Sequence, residues 1–258
     1  MLKTENLHFS YTDNPFIENV SIAINDGEYV GIIGPNGSGK STLIKIFAGL
    51  IAPQAGQVHV QANNISNHSR KQIAKLMAYV PQTVEISFDF IVRDVVAMGR
   101  FPHSQNLLVK DNESLSVVDQ VIKKVHLEKL QYRNFSELSG GEKQRVVIAS
   151  AIAQQTDLIL LDEPTSALDL RHQQEIYMLL KKLTQNESKT VVVVTHDINL
   201  AAQYCDRLIL LNNGKVIKDG TPDEVLKFPV IQDVYGVKVY IDINPFTKSL
   251  YILPYDLQ

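Results

Sequence analysis

The sequence predicts an α/β protein with a parallel sheet, an antiparallel β layer at its N-terminus and a helical insertion. Three observations carry this expectation. Fully apolar runs such as Leu158 to Leu161 and Val191 to Val194 alternate with helix-period stretches, the pattern of parallel strands buried on both faces. The first segments instead alternate apolar and polar residues, as strands with one wet face do. From about Val84 to Gln155 strand signals fade and helical periodicity takes over.

Taken in order, the first segment alternates through Leu2, Thr4, Asn6, Leu7 and Phe9. A second strand runs from Phe16 to Ile24 and ends at the turn signal Asn25-Asp26-Gly27. Tyr29 to Ile33 reads as a buried strand and Leu43 to Ala48 as a helix, with Gly49 and Pro53 marking its exit. Gly56 signals another turn before the strand Gln57 to Val60. A helix around Arg70 to Lys75 leads to the apolar run Leu76 to Val80, closed by Pro81-Gln82. Helix patterns follow at Val92–Met98, Leu115–Val125 and Gly141–Ala153, then one from His172 to Leu183 between the two apolar runs. The tail offers a strand Arg207 to Leu211, a hairpin turn at Asn212-Asn213-Gly214-Lys215, and after Gly220 a helix and a small β-ribbon. With no internal repeat or linker, the 258 residues are expected to form one body, its core from about 1–83 and 156–258 and its helical insertion from about 84–155.

Hydrophobic residues make up 45% of the chain, enough for a substantial core, and the net charge is −3. Lys and Arg are scattered, with short pairs such as Lys123-Lys124, so no basic patch argues for nucleic acid. The single cysteine, Cys205, excludes an internal disulfide, and no basic-apolar leader opens the sequence, which leads us to expect a reducing, cytosolic location. No run approaches the roughly 20 apolar residues that span a bilayer.

The most specific motif is Gly34-Pro35-Asn36-Gly37-Ser38-Gly39-Lys40-Ser41-Thr42, set between a strand and a helix. Phosphates need close, oriented donors, and glycines at 34, 37 and 39 let the backbone N–H groups curl around them. Lys40 supplies a point charge to the β- and γ-phosphates, Ser41 a hydroxyl for Mg²⁺, and the helix N-terminus a positive dipole end. This is a P-loop, and ATP with Mg²⁺ is the expected ligand.

Asp162 and Glu163 end the run Leu158 to Leu161, at the carboxyl end of a parallel strand where ligands sit in open sheets. Asp162 is expected to hold Mg²⁺ through water and Glu163 to act as general base on the attacking water. Gln82 and His196 also follow predicted strands and should face the same crevice. A second glycine run, Leu138-Ser139-Gly140-Gly141-Glu142, opens the helix that continues to Ala153 and repeats the anion-binding logic. One ATP needs a single P-loop, so this run is expected to serve nucleotide held by another copy of the chain.

These motifs, in this order and together with Ser166-Ala167-Leu168-Asp169, resemble the ATP-binding-cassette (ABC) family over essentially the whole chain. The resemblance implies a RecA-like P-loop core and an ATPase coupled to transport. It implies that Tyr11 stacks on adenine, that Gln82 senses Mg²⁺ and the water as a metal-site and catalytic residue, and that His196 contacts the γ-phosphate. Ser139, Gly140, Gly141 and Glu142 would meet the partner's ATP, and Asp169 would tie the two halves together.

The run Phe90 to His103, with Gly99-Arg100-Phe101-Pro102, is similar to the ATPases of importers for iron–siderophore complexes, haem and cobalamin. Leu168 to Gln173 and Val234-Tyr235-Gly236-Val237 extend that similarity. It implies two copies of this chain on the cytoplasmic face of the membrane, beneath two permease subunits, fed by an extracytoplasmic substrate-binding protein. An exporter ATPase is the nearest rival, and the run Phe90 to His103 is what separates the two. A DNA-repair cassette would need a long heptad insertion between Gln82 and Leu138, and a translation-factor cassette normally carries two such domains; this chain has neither.

Overall fold

A computed structural model describes residues 1–12, 16–84, 89–103, 112–166 and 168–255. Ala167, within the Ser166 to Asp169 run, and residues 85–88, near the start of the predicted insertion, lie outside the described residues.

The N-terminal layer comprises β1 (Leu2–Phe9), β2 (Ile17–Val20) and β3 (Ala23–Ile24). Next come β4 (Tyr29–Ile33), α1 (Lys40–Phe47), β5 (Ala55–Val60), β6 (Asn63–Asn64), α2 (Arg70–Leu76) and β7 (Met77–Val80). Between β7 and β8 (Leu158–Asp162) lie α3 (Val92–Met98), α4 (Asn112–Lys124) and α5 (Gly140–Ala153). After β8 follow α6 (Leu170–Glu187), β9 (Thr190–Val194), α7 (Ile198–Tyr204), β10 (Arg207–Asn212) and β11 (Lys215–Gly220). The tail holds α8 (Pro222–Val225), α9 (Phe228–Tyr235), β12 (Lys238–Ile243) and β13 (Leu250–Tyr255).

The main sheet runs β11-β10-β4-β9-β8-β7, parallel throughout except for the edge strand β11. Its strands read as unbroken apolar runs because each face has its own core. Val192 and Val194 pack with Val30, Ile32, Leu43, Phe47 and the N-terminal layer. Val191 and Val193 face the opposite way, toward Tyr29, Ile33 and residues of α5, α6 and α7. Truncating one such fully buried Leu or Ile to Ala costs ~2–5 kcal/mol.

The antiparallel sheet, β2-β1-β5-β6 with β3 also on β1, corrects three expectations. Strict alternation through Leu2, Thr4, Asn6, Leu7 and Phe9 fails because Asn6 takes φ 47° and the register slips, turning Leu7 inward. Gly56 is no turn; it lies in β5 against this bulge, where a Cβ would stand 2.4 Å from the Glu5 and Asn6 carbonyl oxygens. Nor is Phe16 to Ile24 one strand. Thr4 donates its backbone N–H to the Ile22 carbonyl at 2.8 Å while its hydroxyl accepts from Ile22 N–H at 2.9 Å, and the strand breaks into β2 and β3 there.

Candidate functional site

Four parallel strands, β4, β9, β8 and β7, deliver their carboxyl ends to one crevice, and each is followed by a residue singled out from the sequence. At the end of β4, Gly34 adopts φ 151°, and a Cβ there would lie 2.1 Å from the Leu211 carbonyl oxygen. Gly39 begins α1 at φ 102°, with Ile17 Cδ1 2.7 Å from its missing Cβ. Side chains are excluded at both positions, so the loop keeps its backbone bare.

The helix N-termini of this chain are treated differently. Ser69, Ser139, Asp169 and Asp197 cap α2, α5, α6 and α7 with their side chains. α1 has no side-chain cap and no acidic residue in its first turn. Its N–H groups and dipole are therefore left for an exogenous anion.

Lys40 is buried and donates Nζ hydrogen bonds to the carbonyls of Gly34 (2.9 Å) and Pro35 (2.8 Å). Burial lowers its pKa, an effect opposed by the charges of Glu163 and Asp162. Ser41 Oγ donates to Asp162 Oδ1 at 2.8 Å, and the Tyr79 hydroxyl lies 3.4 Å from Oδ2. Asp162 is only 2% exposed; burial raises its pKa, against the hydrogen bond from Ser41 and the charge of Lys45. A desolvated carboxylate beside a hydroxyl is a hard oxygen pair, the donor set that Mg²⁺ takes when phosphates and water complete its shell. Among the described residues there is no group of three or more His, Cys, Asp or Glu placed to hold a metal ion.

Glu163 follows with φ 46°, its N–H bonded to the Val194 carbonyl at 3.0 Å, which ties the turn after β8 to β9. Its Oε2 accepts from Gln82 Nε2 at 2.8 Å and lies 3.6 Å from His196 Nδ1. Three strand ends thus converge on one carboxylate. Tyr11 is 61% exposed, meets Phe9 and Phe16 edge-on, and its hydroxyl lies 3.1 Å from Thr42 Oγ1. An open aromatic ring beside the P-loop is available for stacking. No sequence signal marked Tyr79 for the site; its place between buried Ala78 and Val80 turns it toward Asp162.

The second glycine run forms a separate group. Gly141 packs on the ring of His172, whose N–H and Nδ1 lie 2.9 and 2.8 Å from Asp169 Oδ1. Ser139 is not free: Glu142 Oε2 accepts from its N–H at 2.9 Å and from its hydroxyl at 2.8 Å, a capping box that fills the α5 N-terminus with the chain's own carboxylate. Ser139 N–H and hydroxyl hold the Glu142 carboxyl below its usual range.

Beside this geometry stand the comparisons with known proteins. The sequence profile of the ABC transporter family matches residues 17–166. The chain belongs to the ABC transporter family. It is similar to the iron(3+)-hydroxamate import ATP-binding protein FhuC of Bacillus subtilis, at 39% identity over 256 residues covering 99% of this chain and 95% of that one. It is also similar to the hemin import ATP-binding protein HmuV of Photobacterium damsela subsp. piscicida, at 37% identity, with 95% and 92% covered. Among solved structures, an inward-facing metal-chelate type ABC transporter matches with a TM-score of 0.86 and 31% identity over 99% of this chain and 97% of that one. A dimeric ATP-binding cassette, MJ0796, bound to ADP and Pi matches with a TM-score of 0.76 and 31% identity over 86% and 99%. The fold is that of an ABC ATPase cassette, and the chain is an ATPase of the ABC transporter type. No helix among the described residues is long and apolar enough to cross a membrane.

Proposed function

We propose that this cassette is the ATP-hydrolysing subunit of an importer for an iron–siderophore or related iron complex, haem or cobalamin. The single observation that carries the hydrolytic half is the convergence of Gln82 and His196 on Glu163, beside an uncapped P-loop helix. In this reading the glycine loop, Lys40 and α1 hold the phosphates, and Tyr11 lies against the base. Lys40 exchanges the Gly34 and Pro35 carbonyls for phosphate oxygens. Glu163 takes the proton of the attacking water as the water oxygen bonds to the γ-phosphorus and the bond to ADP breaks. Gln82 aims the carboxylate and the water, and His196 steadies the γ-phosphate oxygens. Ser41, Asp162 and Gln82 would hold Mg²⁺, which neutralises phosphate charge when bound.

Two copies would form a sandwich, with residues 34–42 of one chain and Ser139, Gly140, Gly141 and Glu142 of the other on the same ATP, and Asp169 near the seam. The ligand state of the dimeric cassette MJ0796 and the separate grouping of the second glycine run support this reading. We read residues 84–155 as a helical unit set into the core of a single nucleotide-binding domain. The run Phe90 to His103 on that unit would dock two permease subunits at the cytoplasmic face of the membrane. The import roles named for the relatives support an importer, and an extracytoplasmic binding protein would deliver its cargo. Growth of a deletion strain on ferric siderophores, haem and cobalamin, each as sole source, tests the cargo; unimpaired growth on all would refute the importer reading.

A further inference from the structure

The starts of α5 and α6 meet at one side chain. The ring of His172, in the first turn of α6, lies against the backbone of Gly141 in the first turn of α5. A Cβ on Gly141 would stand 2.9 Å from the ring's Cγ and 3.1 Å from its Cδ2. Gly141 has no positive φ, so its missing side chain serves this approach and not a turn. Gly140, one residue earlier, has open space where its Cβ would be. The two glycines therefore do different work: Gly140 leaves its backbone bare to the outside, and Gly141 receives the ring.

The ring is held at its edge as well. His172 Nδ1 lies 2.8 Å from Asp169 Oδ1. A carboxylate only accepts, so Nδ1 carries the proton and donates it to this bond. The same oxygen accepts the His172 backbone N–H at 2.9 Å, which caps α6 without the ring. One turn further along each helix, Arg145 of α5 pairs with Glu175 of α6.

We propose that His172 is a positioning residue for the two-chain ATP site: its ring locks the Ser139 to Glu142 turn to Asp169, so that one copy presents both to the other as a single surface. The inference rests on the sandwich reading given above. A surface already fixed in its bound arrangement loses less conformational freedom on association. The effect therefore falls on joining of the two copies, while the P-loop of each chain binds its nucleotide as before.

The test uses the full chain in a Glu163→Gln background, with the dimer dissociation constant measured at saturating ATP by light scattering over a range of protein concentrations. Two further changes are compared, His172→Ala and His172→Asn, the second keeping an N–H near the position of Nδ1. Both retain the backbone cap of α6 and the Arg145–Glu175 pair, and thermal melting verifies that each chain is folded. His172→Ala should raise the dimer constant about 10-fold or more, since each sandwich contains the hydrogen bond twice. His172→Asn should recover most of that loss, and ATP titration of the monomer should match the parent in both. An unchanged dimer constant in His172→Ala, a loss of the same size in His172→Asn, or an equal loss in monomer ATP binding overturns the proposal. If Glu163→Gln alone stays monomeric at saturating ATP, the sandwich itself falls and the inference with it; if it dimerises and His172→Ala dimerises equally well, the sandwich stands and only the role of His172 is lost.

Discussion

Gln82 donates its side-chain amide to Glu163 Oε2 at 2.8 Å, joining the loop after β7 to the turn after β8. The segment that leads away to the helices α3 to α5 is thereby hydrogen-bonded to the carboxylate proposed to activate water. Glu163→Gln should retain ATP binding while hydrolysis falls about 100-fold or more, the span of one general base. Phosphate release by the variant at the parent rate would remove Glu163 from that role.

Lys40 is buried and sits on the Gly34 and Pro35 carbonyls. Lys40→Ala should raise the nucleotide dissociation constant by about 10-fold or more, since a charge-assisted contact of ~1.5–3 kcal/mol is lost. Calorimetric titration with ATP checks this.

Glu142 closes the capping box on Ser139, and Ser139 N–H and hydroxyl keep its carboxyl below the usual range. A lowered folded value means that its contribution to stability is present above the ordinary glutamate range and is lost as pH falls through the folded value. Glu142→Ala should cost ~0.5–1 kcal/mol at neutral pH, and melting curves of variant and parent should converge in acid. A gap that stays constant with pH would show that the charge is not what caps the helix.

Arg100 is buried in the run Phe90 to His103 and donates to the Ala153 carbonyl (2.9 Å) and to Gln155 Oε1 (2.8 Å), fastening the end of α3 to the end of α5. Beside it, a Cβ on Gly99 would stand 2.0 Å from the Ser150 carbonyl oxygen. Arg100→Ala should cost at least ~2 kcal/mol through the lost charged hydrogen bonds, and Gly99→Ala should also destabilise by forcing the helices apart. Urea unfolding measures both.

Most of the fold was legible because its signals are local. Buried parallel strands announce themselves as apolar runs, and a run such as Val191 to Val194 needs no partner to be recognised. The Asn213-Gly214 turn between β10 and β11 was equally plain, both residues having positive φ. The bulge at Asn6 and the role of Gly56 were not legible, since each exists only when β1 meets β5. At the site, motif residues stood out by spacing, and the structure draws Ser41 to Asp162 and Gln82 and His196 to Glu163. Tyr79 went unseen because an aromatic in a strand looks like core until the fold shows what its hydroxyl faces. The engagement of Ser139 by Glu142 was hidden for a different reason: the same Ser-Gly-Gly-Glu run reads as an anion site and as a capping box.

The central claim is that each chain carries two halves of different sites, completed by a second copy. Light scattering of Glu163→Gln with ATP or ADP tests it most directly, alone and combined with Ser139→Arg. The account predicts a doubled mass with ATP only, and a monomer that still binds ATP once Ser139→Arg is added. A monomer at saturating ATP, or an equal loss of ATP binding by the Ser139→Arg chain, would contradict it.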